Sequence, residues 1–219
     1  IDASETGGSA RLSIARGSLI VPGVFEQPEV PLDSFATRLA WRVTPQPGGA
    51  PSAIEVSLAD TEFANADAQG RLGTATWRTG PGVGSGRGAR FPGQLDLAGQ
   101  LSRGNVAAVA RYLPLGVSEP ARRYVEHAVT AGRVAAATFR VRGDLGDFPF
   151  VAPPAAAGAR PAAPPAGEFR IVGRVQDAQL AYVPARGDAP SPWPAFGAVS
   201  AELVFDRTSL EIRDAQARL

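Results

Sequence analysis

The chain contains no cysteine, no methionine and no lysine, and only one histidine. Without cysteine there is no disulfide, no thiolate metal ligand and no thiol nucleophile, and a single imidazole is too few for a histidine-built metal site. Either redox compartment would suit a cysteine-free chain. Arginine carries all of the positive side-chain charge: 22 basic residues stand against 21 acidic ones, for a net charge of +1 over 219 residues. So small a charge gives no long-range field to draw in nucleic acid or an anionic membrane surface. No apolar run reaches the roughly 18 residues that a membrane-crossing helix needs. The chain opens on Ile1-Asp2-Ala3, with neither an initiator methionine nor a signal peptide, as expected of a segment cut from a longer protein.

What is present suits a folded β-rich chain. The apolar fraction is 44%, enough to close a core, and 25 glycines with 20 prolines imply many turns between short elements. Alternation at period two is the dominant pattern. Phe35, Thr37, Leu39, Trp41 and Val43 share one face of a strand, with Ser34, Ala36, Arg38, Ala40 and Arg42 on the other. The pattern returns at Ile54, Val56 and Leu58, at Leu95, Leu97 and Leu101, and at Val199, Ala201, Leu203 and Phe205. Weaker strands are predicted around Arg11–Val21, Arg71–Thr79, Arg133–Arg142 and Glu168–Val183. In the last, the apolar positions change from odd (Phe169, Ile171, Val175) to even (Ala178, Leu180, Tyr182), which calls for a bulge near Asp177. Short Pro-, Gly- and Asp-rich connections between these runs favour an antiparallel meander over βαβ units.

Two stretches depart from this pattern. Residues 105–130 read as a helical insertion in two pieces, Asn105–Tyr112 and Ser118–Thr130, split by Pro114 and Gly116. Ser118 is the expected N-cap, Glu119 and Pro120 fill the first turn, and Gly132 is the expected stop. Residues 151–167 are rich in proline and alanine and read as a long exposed loop between two strands of one sheet.

The usual catalytic constellations are missing. His127 sits in the helix beside Glu126 and reads as a surface residue rather than a general base. Asp144 and Asp147, each next to a glycine, suit turns better than acid–base chemistry. Gly84-Ser85-Gly86-Arg87-Gly88-Ala89 matches a dinucleotide-binding spacing, but Phe91-Pro92-Gly93 follows where that motif needs a helix, so a hairpin loop is expected. Arg122-Arg123 is an isolated doublet. No catalytic residue, metal or cofactor is expected, and the chain does not read as an enzyme.

Four landmarks in order carry a family resemblance. They are Pro92-Gly93-Gln94-Leu95-Asp96-Leu97 leading into Asn105–Pro114; the helix Arg122-Arg123-Tyr124-Val125-Glu126-His127-Ala128 with Gly132; Arg142-Gly143-Asp144-Leu145-Gly146-Asp147-Phe148-Pro149-Phe150; and Gly167-Glu168-Phe169 with Tyr182 and Trp193-Pro194. From Phe91 to Leu219 the chain resembles the YhdP-like branch of the AsmA-like envelope proteins of Gram-negative bacteria, while the first ninety residues match only in strand style. Where that branch typically has Trp-Leu in the helix, this chain has Tyr124-Val125. The resemblance implies a periplasmic segment of a longer protein anchored in the inner membrane. It also implies a repeating β-groove whose apolar lining carries phospholipid acyl chains between the two membranes, with neighbouring segments of the same polypeptide as partners and no catalytic residue or cofactor.

The expected fold is therefore mainly β with a short helical insertion, an antiparallel meander forming a curved, groove-like sheet. All 219 residues would belong to one larger β-rich body. The candidate groove residues are Phe35, Leu39, Trp41, Val43, Ile54, Val56, Leu58, Leu95 and Leu97. The same residues would serve equally as ordinary core. Tyr112, Phe148, Phe150 and Trp193 are expected to fix helix and loop against the sheet. The competing expectation is a non-catalytic structural or ligand-binding β-module of the envelope, with the apolar faces closed in a sandwich.

Overall fold

Alternating side chains build long strands here, and each strand lies antiparallel beside the one before it. The computed structural model describes residues 1–152, 166–185, 191 and 193–219. Its strands are β1 (Asp2–Ser4), β2 (Gly7–Ile20), β3 (Glu29–Thr44), β4 (Ala53–Ala64), β5 (Ala68–Arg78), β6 (Gln94–Asn105), β7 (Val129–Asp144), β8 (Gly167–Leu180), β9 (Phe196–Asp206) and β10 (Ser209–Arg218). They form one ten-stranded sheet in sequence order, with every neighbouring pair antiparallel. β1 and β10 are its two edges and do not pair, so the sheet is open.

Each predicted strand is found, but β8 stops at Leu180, short of the expected Val183 and leaving Tyr182 outside it, and β1 and β10 lie outside the expected runs; β7 and β8 pair directly across the Pro/Ala-rich segment. Most of the predicted 151–167 loop, residues 153–165, lies outside the described residues. The bulge expected near Asp177 is present: Asp177 has φ 53° and the β8–β9 register shifts between Val175 and Ala178. Comparable left-handed residues, each with a shift of register, sit inside other strands, at Asp60 in β4, Ala198 in β9 and Asp214 in β10. Such bulges bend and twist a strand, and their recurrence curves this sheet.

Contacts on the apolar side give the direction of the curve. The hairpin tip between β2 and β3 reaches the segment that follows β6, where the Leu115 N–H donates to the Val24 carbonyl at 2.9 Å. The apolar side is therefore the concave one.

The insertion consists of a 3-10 stretch, Val106–Tyr112, and one helix, α1 (Glu119–Ala128). Asn105 caps the first by accepting from the Ala107 N–H at 3.1 Å. Ser118 occupies the N-cap of α1, but its side chain makes no capping hydrogen bond. The helix ends at Ala128, earlier than the predicted Thr130. Val129 pairs with Leu180 in the sheet, and Gly132, the expected stop, lies within β7 at φ 130°. Strand pairing takes these residues before the helix can extend over them.

Few side chains are buried. The main buried cluster is Val106, Val175 and Ala201, with Val129, Val134 and Leu203 packed against it, where the insertion sits on β7–β9. The sandwich expectation fails: among the described residues there is no second sheet to cover the apolar face.

Candidate functional site

In an antiparallel pair, directly opposed residues point to the same side. Register alone therefore assembles the candidates. Phe35 opposes Phe63, Leu39 opposes Leu58, Trp41 opposes Val56 and Val43 opposes Ile54. Val56 then opposes Trp77, which opposes Leu95, while Ala75 opposes Leu97. All nine predicted residues lie on the concave side. None is fully buried and none is fully exposed, the state of an apolar wall that protein covers only in part. Along β3 from Ser34 to Thr44, burial alternates with the sequence: the odd positions are covered and the even ones exposed.

The floor has features that periodicity did not single out. Trp77 and Phe139 belong to it but lie on strands whose alternation glycine or alanine interrupts, and Phe63 belongs to it beyond the β4 bulge at Asp60. The rings of Phe63 and Phe139 lie over glycines of the adjacent strand, and that of Trp77 over Gly93 just before β6. A Cβ at Gly70 would meet the Phe63 ring at 2.9 Å, and one at Gly99 would collide with the ring of Phe139. Trp41 covers Gly8 in the same way. Aromatic rings laid flat on glycine leave the space above the floor clear while still burying ring surface. A sequence signal existed in hindsight: Gly8, Gly70 and Gly99 each sit one strand from an aromatic at a registered position.

The convex side is its chemical opposite. Arg140 pairs with Asp96 at 2.7 Å and with Glu168 at 3.7 Å, and Arg142 with Asp96 at 3.7 Å. Arg170 pairs with Asp206 at 3.1 Å, and Glu202 lies between Arg174 (3.8 Å) and Arg213 (3.6 Å). Arg38 pairs with Asp60. These pairs are at least partly exposed and each adds little stability. Together they keep one side wetted and neutral, which accounts for the near-equal arginine and acidic counts.

The insertion covers part of the concave side. Val106 fills the floor over β7–β9, and Phe148 and Phe150, from the connection after β7, stand nearby. The Phe150 ring is fully buried against Gly143 and Gly167, and Phe148 lies 4.9 Å from Phe169 and against Gly116. A polar cluster holds the insertion at its root. The Tyr112 hydroxyl donates to Asp67 at 2.9 Å and accepts from the Asn65 amide at 3.0 Å, and Arg111 pairs with Asp67 at 2.9 Å. Burial, then the bond to Asp67, raises the Tyr112 pKa above its ordinary value. Tyr112, Phe148 and Phe150 thus fix the insertion and the loop to the sheet, as expected. Trp193 instead stacks edge-on with Tyr182 and is largely exposed.

The remaining candidates do not converge. The Nδ1 of His127 lies 2.7 Å from the carbonyl of Arg123 on the exposed side of α1. Asp144 accepts from the backbone of Gly146 at 2.8 Å and Gly88 at 3.1 Å, and Asp147 pairs with Arg87 at 2.5 Å. Both carboxylates therefore tie down turns, including the glycine-rich loop, which connects β5 to β6 with no helix after it. A shallow apolar hollow beside α1, lined by Tyr124, Tyr182, Val183 and Pro184, holds no charged group. Among the described residues no group of three acidic or imidazole side chains is arranged to hold a metal, and no helix is long and apolar enough to cross a membrane.

A single curved antiparallel sheet, apolar on its concave side and charged on its back, is a β-groove module. The chain belongs to the YhdP family: the family model described as YhdP protein matches residues 1–219, the whole chain, including the first ninety residues that the motifs left unmatched. No curated protein and no solved structure matched the chain.

Proposed function

We propose that this segment is part of an envelope-spanning protein and carries phospholipid between inner and outer membranes, with acyl chains against the concave floor and head groups toward solvent. The observation that carries the reading is the partly exposed apolar side of β2–β6, lined by Phe35, Leu39, Trp41, Val43, Ile54, Val56, Leu58, Leu95 and Leu97 and left without a facing sheet among the described residues. Four strand spacings separate β2 from β6, about 19 Å at 4.8 Å each. A single acyl tail needs about 15 Å, half of a hydrocarbon core of about 30 Å. Shielding such a tail is worth roughly 0.8 kcal/mol per methylene, so retention requires no head-group pocket, and sliding requires none to be left. Membership of the YhdP family supports a periplasmic setting, a parent anchored in the inner membrane and a non-catalytic role.

The test uses two adjacent residues on opposite sides of β3. A photo-reactive residue is placed at Leu39 or at Arg38 in the full-length parent in cells, and the adducts are identified by mass spectrometry. Phospholipid adducts at Leu39 and none at Arg38 are expected. Protein-only adducts at Leu39, with lipid captured at a control site elsewhere in the parent, would return these residues to dry core and the segment to a structural module.

A further inference from the structure

The concave floor does not stop where the insertion begins. Register carries one apolar row across the sheet: Leu101 opposes Ala137, Ala137 opposes Gly173 and Gly173 opposes Leu203. β2–β6 leave their part of this floor half-exposed, whereas on β7–β9 Val106 is seated on it, against Val175, Ala201 and Leu203. The chain's own insertion thus lies where the same floor would otherwise present itself to a ligand.

Beyond its root, where Tyr112 and Arg111 are tied to Asp67, the insertion is lightly held. Within residues 106–128 only Val106 and Ala128 are buried. Its first part is a 3-10 run over Val106–Tyr112, long for a helix type whose runs rarely exceed three or four residues, and α1 starts without a side-chain cap. It touches the β2–β3 tip through one backbone hydrogen bond, Leu115 to Val24, through an edge-on contact of Tyr112 with Phe25, and through long ion pairs from Glu26 to Arg122 (3.7 Å) and Arg123 (3.9 Å), while Gly116 rests against Phe148. The Nε of Arg122 is buried without a hydrogen-bond partner, so this contact is incompletely satisfied. Both stems of the insertion leave from neighbouring strands at one rim, Asn105 of β6 being registered with Arg133 of β7. It can therefore swing outward without breaking the ladder. Segments with few buried apolar contacts are the ones that open most readily.

We propose that the floor of β7–β9 beneath this insertion is a second acyl-chain subsite, occupied by Val106 when lipid is absent. The insertion then acts as a flap that an incoming tail displaces as it moves from the open floor of β2–β6. A tail many methylenes long buries more apolar surface there than one valine does, so the exchange favours lipid once a tail arrives. The proposal rests on the lipid-carrying reading above and adds to it a place where passage is controlled.

This segment has no cysteine of its own, so an introduced pair can lock the flap. Val24→Cys with Leu115→Cys, in the full-length parent, places a disulfide where the two backbones are already hydrogen-bonded and locks the flap shut. A photo-reactive residue at Leu203 reports the covered floor, and one at Leu39 the open floor. With the cysteines reduced, lipid adducts are expected at both positions. On oxidation, adducts at Leu203 should fall at least about tenfold as the open state is removed from the equilibrium, while those at Leu39 persist. Glu26→Gln, which needs no disulfide, should instead raise the yield at Leu203. Lipid at Leu39 with a yield at Leu203 that is absent, or indifferent both to locking and to Glu26→Gln, overturns the flap and leaves the groove reading standing. No lipid at Leu39 with the flap free overturns the groove reading, and the flap with it.

Discussion

Thr37 and Thr61 share a hydrogen bond of 2.7 Å between β3 and β4, in the middle of the apolar face. Both hydroxyls are buried, and Thr37 also reaches the carbonyl of Ala59 at 3.3 Å. Ala59 adjoins Asp60, whose φ of 49° marks the β4 bulge. The pair thus supplies a local polar partner where the bulge interrupts the ladder.

An asymmetry between the two threonines follows from that geometry. Thr37→Val leaves both the Thr61 hydroxyl and the Ala59 carbonyl without this partner, and a buried polar group left unsatisfied costs about 1–3 kcal/mol. Thr61→Val leaves Thr37 still able to donate to Ala59 and should cost less than about 1 kcal/mol. Urea unfolding of the two single variants and the double variant would show this order. Equal losses for the two singles would show that the Ala59 contact contributes nothing.

The bulge in β8 gives a second test. Asp177 has φ 53°, a conformation that costs a side-chain-bearing residue roughly 1–2 kcal/mol and glycine almost nothing. Its carboxylate meets Arg133 at 3.1 Å, with both side chains largely exposed, so the ion pair offsets little. Asp177→Gly should therefore unfold at an equal or higher urea concentration than the parent chain. Asp177→Val should lose about 1–2 kcal/mol, because a β-branched residue tolerates this region poorly. A valine variant as stable as the aspartate would mean that the strand runs through this point without the bulge.

That bulge was legible in the sequence because Phe169, Ile171 and Val175 change parity to Ala178 and Leu180 within one strand. The bulge at Asp60 was not, since Thr61, the first residue back on the apolar face, is polar and disguises the change of phase. β3, β4, β6 and β9 announced themselves through strict alternation. β5 was fainter because Gly70 and Ala75 occupy positions where large side chains would have marked the face, and because its register shifts at Gly73. For the same reason Trp77 and Phe139 escaped the candidate site, although register places them on its floor. Periodicity states that one face is apolar but not what lies over it, so the choice between trough and sandwich had to wait for the topology. The end of α1 was misplaced because Val129 and Thr130 suit either a helix or a strand, and pairing with β8 decides between them.

The glycines of the floor should be intolerant of even one methyl group. At Gly99 a Cβ would collide with the Phe139 ring and approach the carbonyl of Arg71 to 2.7 Å. Overpacking of this kind costs typically 1–3 kcal/mol. Gly99→Ala is expected to lose about that much, and Phe139→Leu added to it should recover part of the loss by removing the ring atoms in the way. The unrecovered remainder reports the backbone approach to Arg71. Strict additivity of the two changes in urea unfolding would mean that ring and glycine are not in contact.

The root of the insertion should respond to alkaline pH through Tyr112. Its pKa is raised above the ordinary tyrosine value, first by burial and then by the hydrogen bond that its hydroxyl donates to Asp67. The folded protein thus favours the neutral phenol, and ionisation would put a phenolate beside the Asp67 carboxylate. By linkage, the stabilisation from this group is complete below the unfolded value, near pH 10, and is lost as pH rises through the higher folded value. Tyr112→Phe lacks the titrating hydroxyl and leaves Asn65 and Asp67 one partner short. It should therefore be less stable than the parent chain by a constant margin below about pH 10, and that margin should shrink as pH climbs further. Unfolding curves at several alkaline pH values, with tyrosinate absorbance followed in parallel, would show the convergence. A margin unchanged across that window would mean that Tyr112 titrates like a free tyrosine, and that the Asn65–Tyr112–Asp67 cluster does not hold the insertion to the sheet.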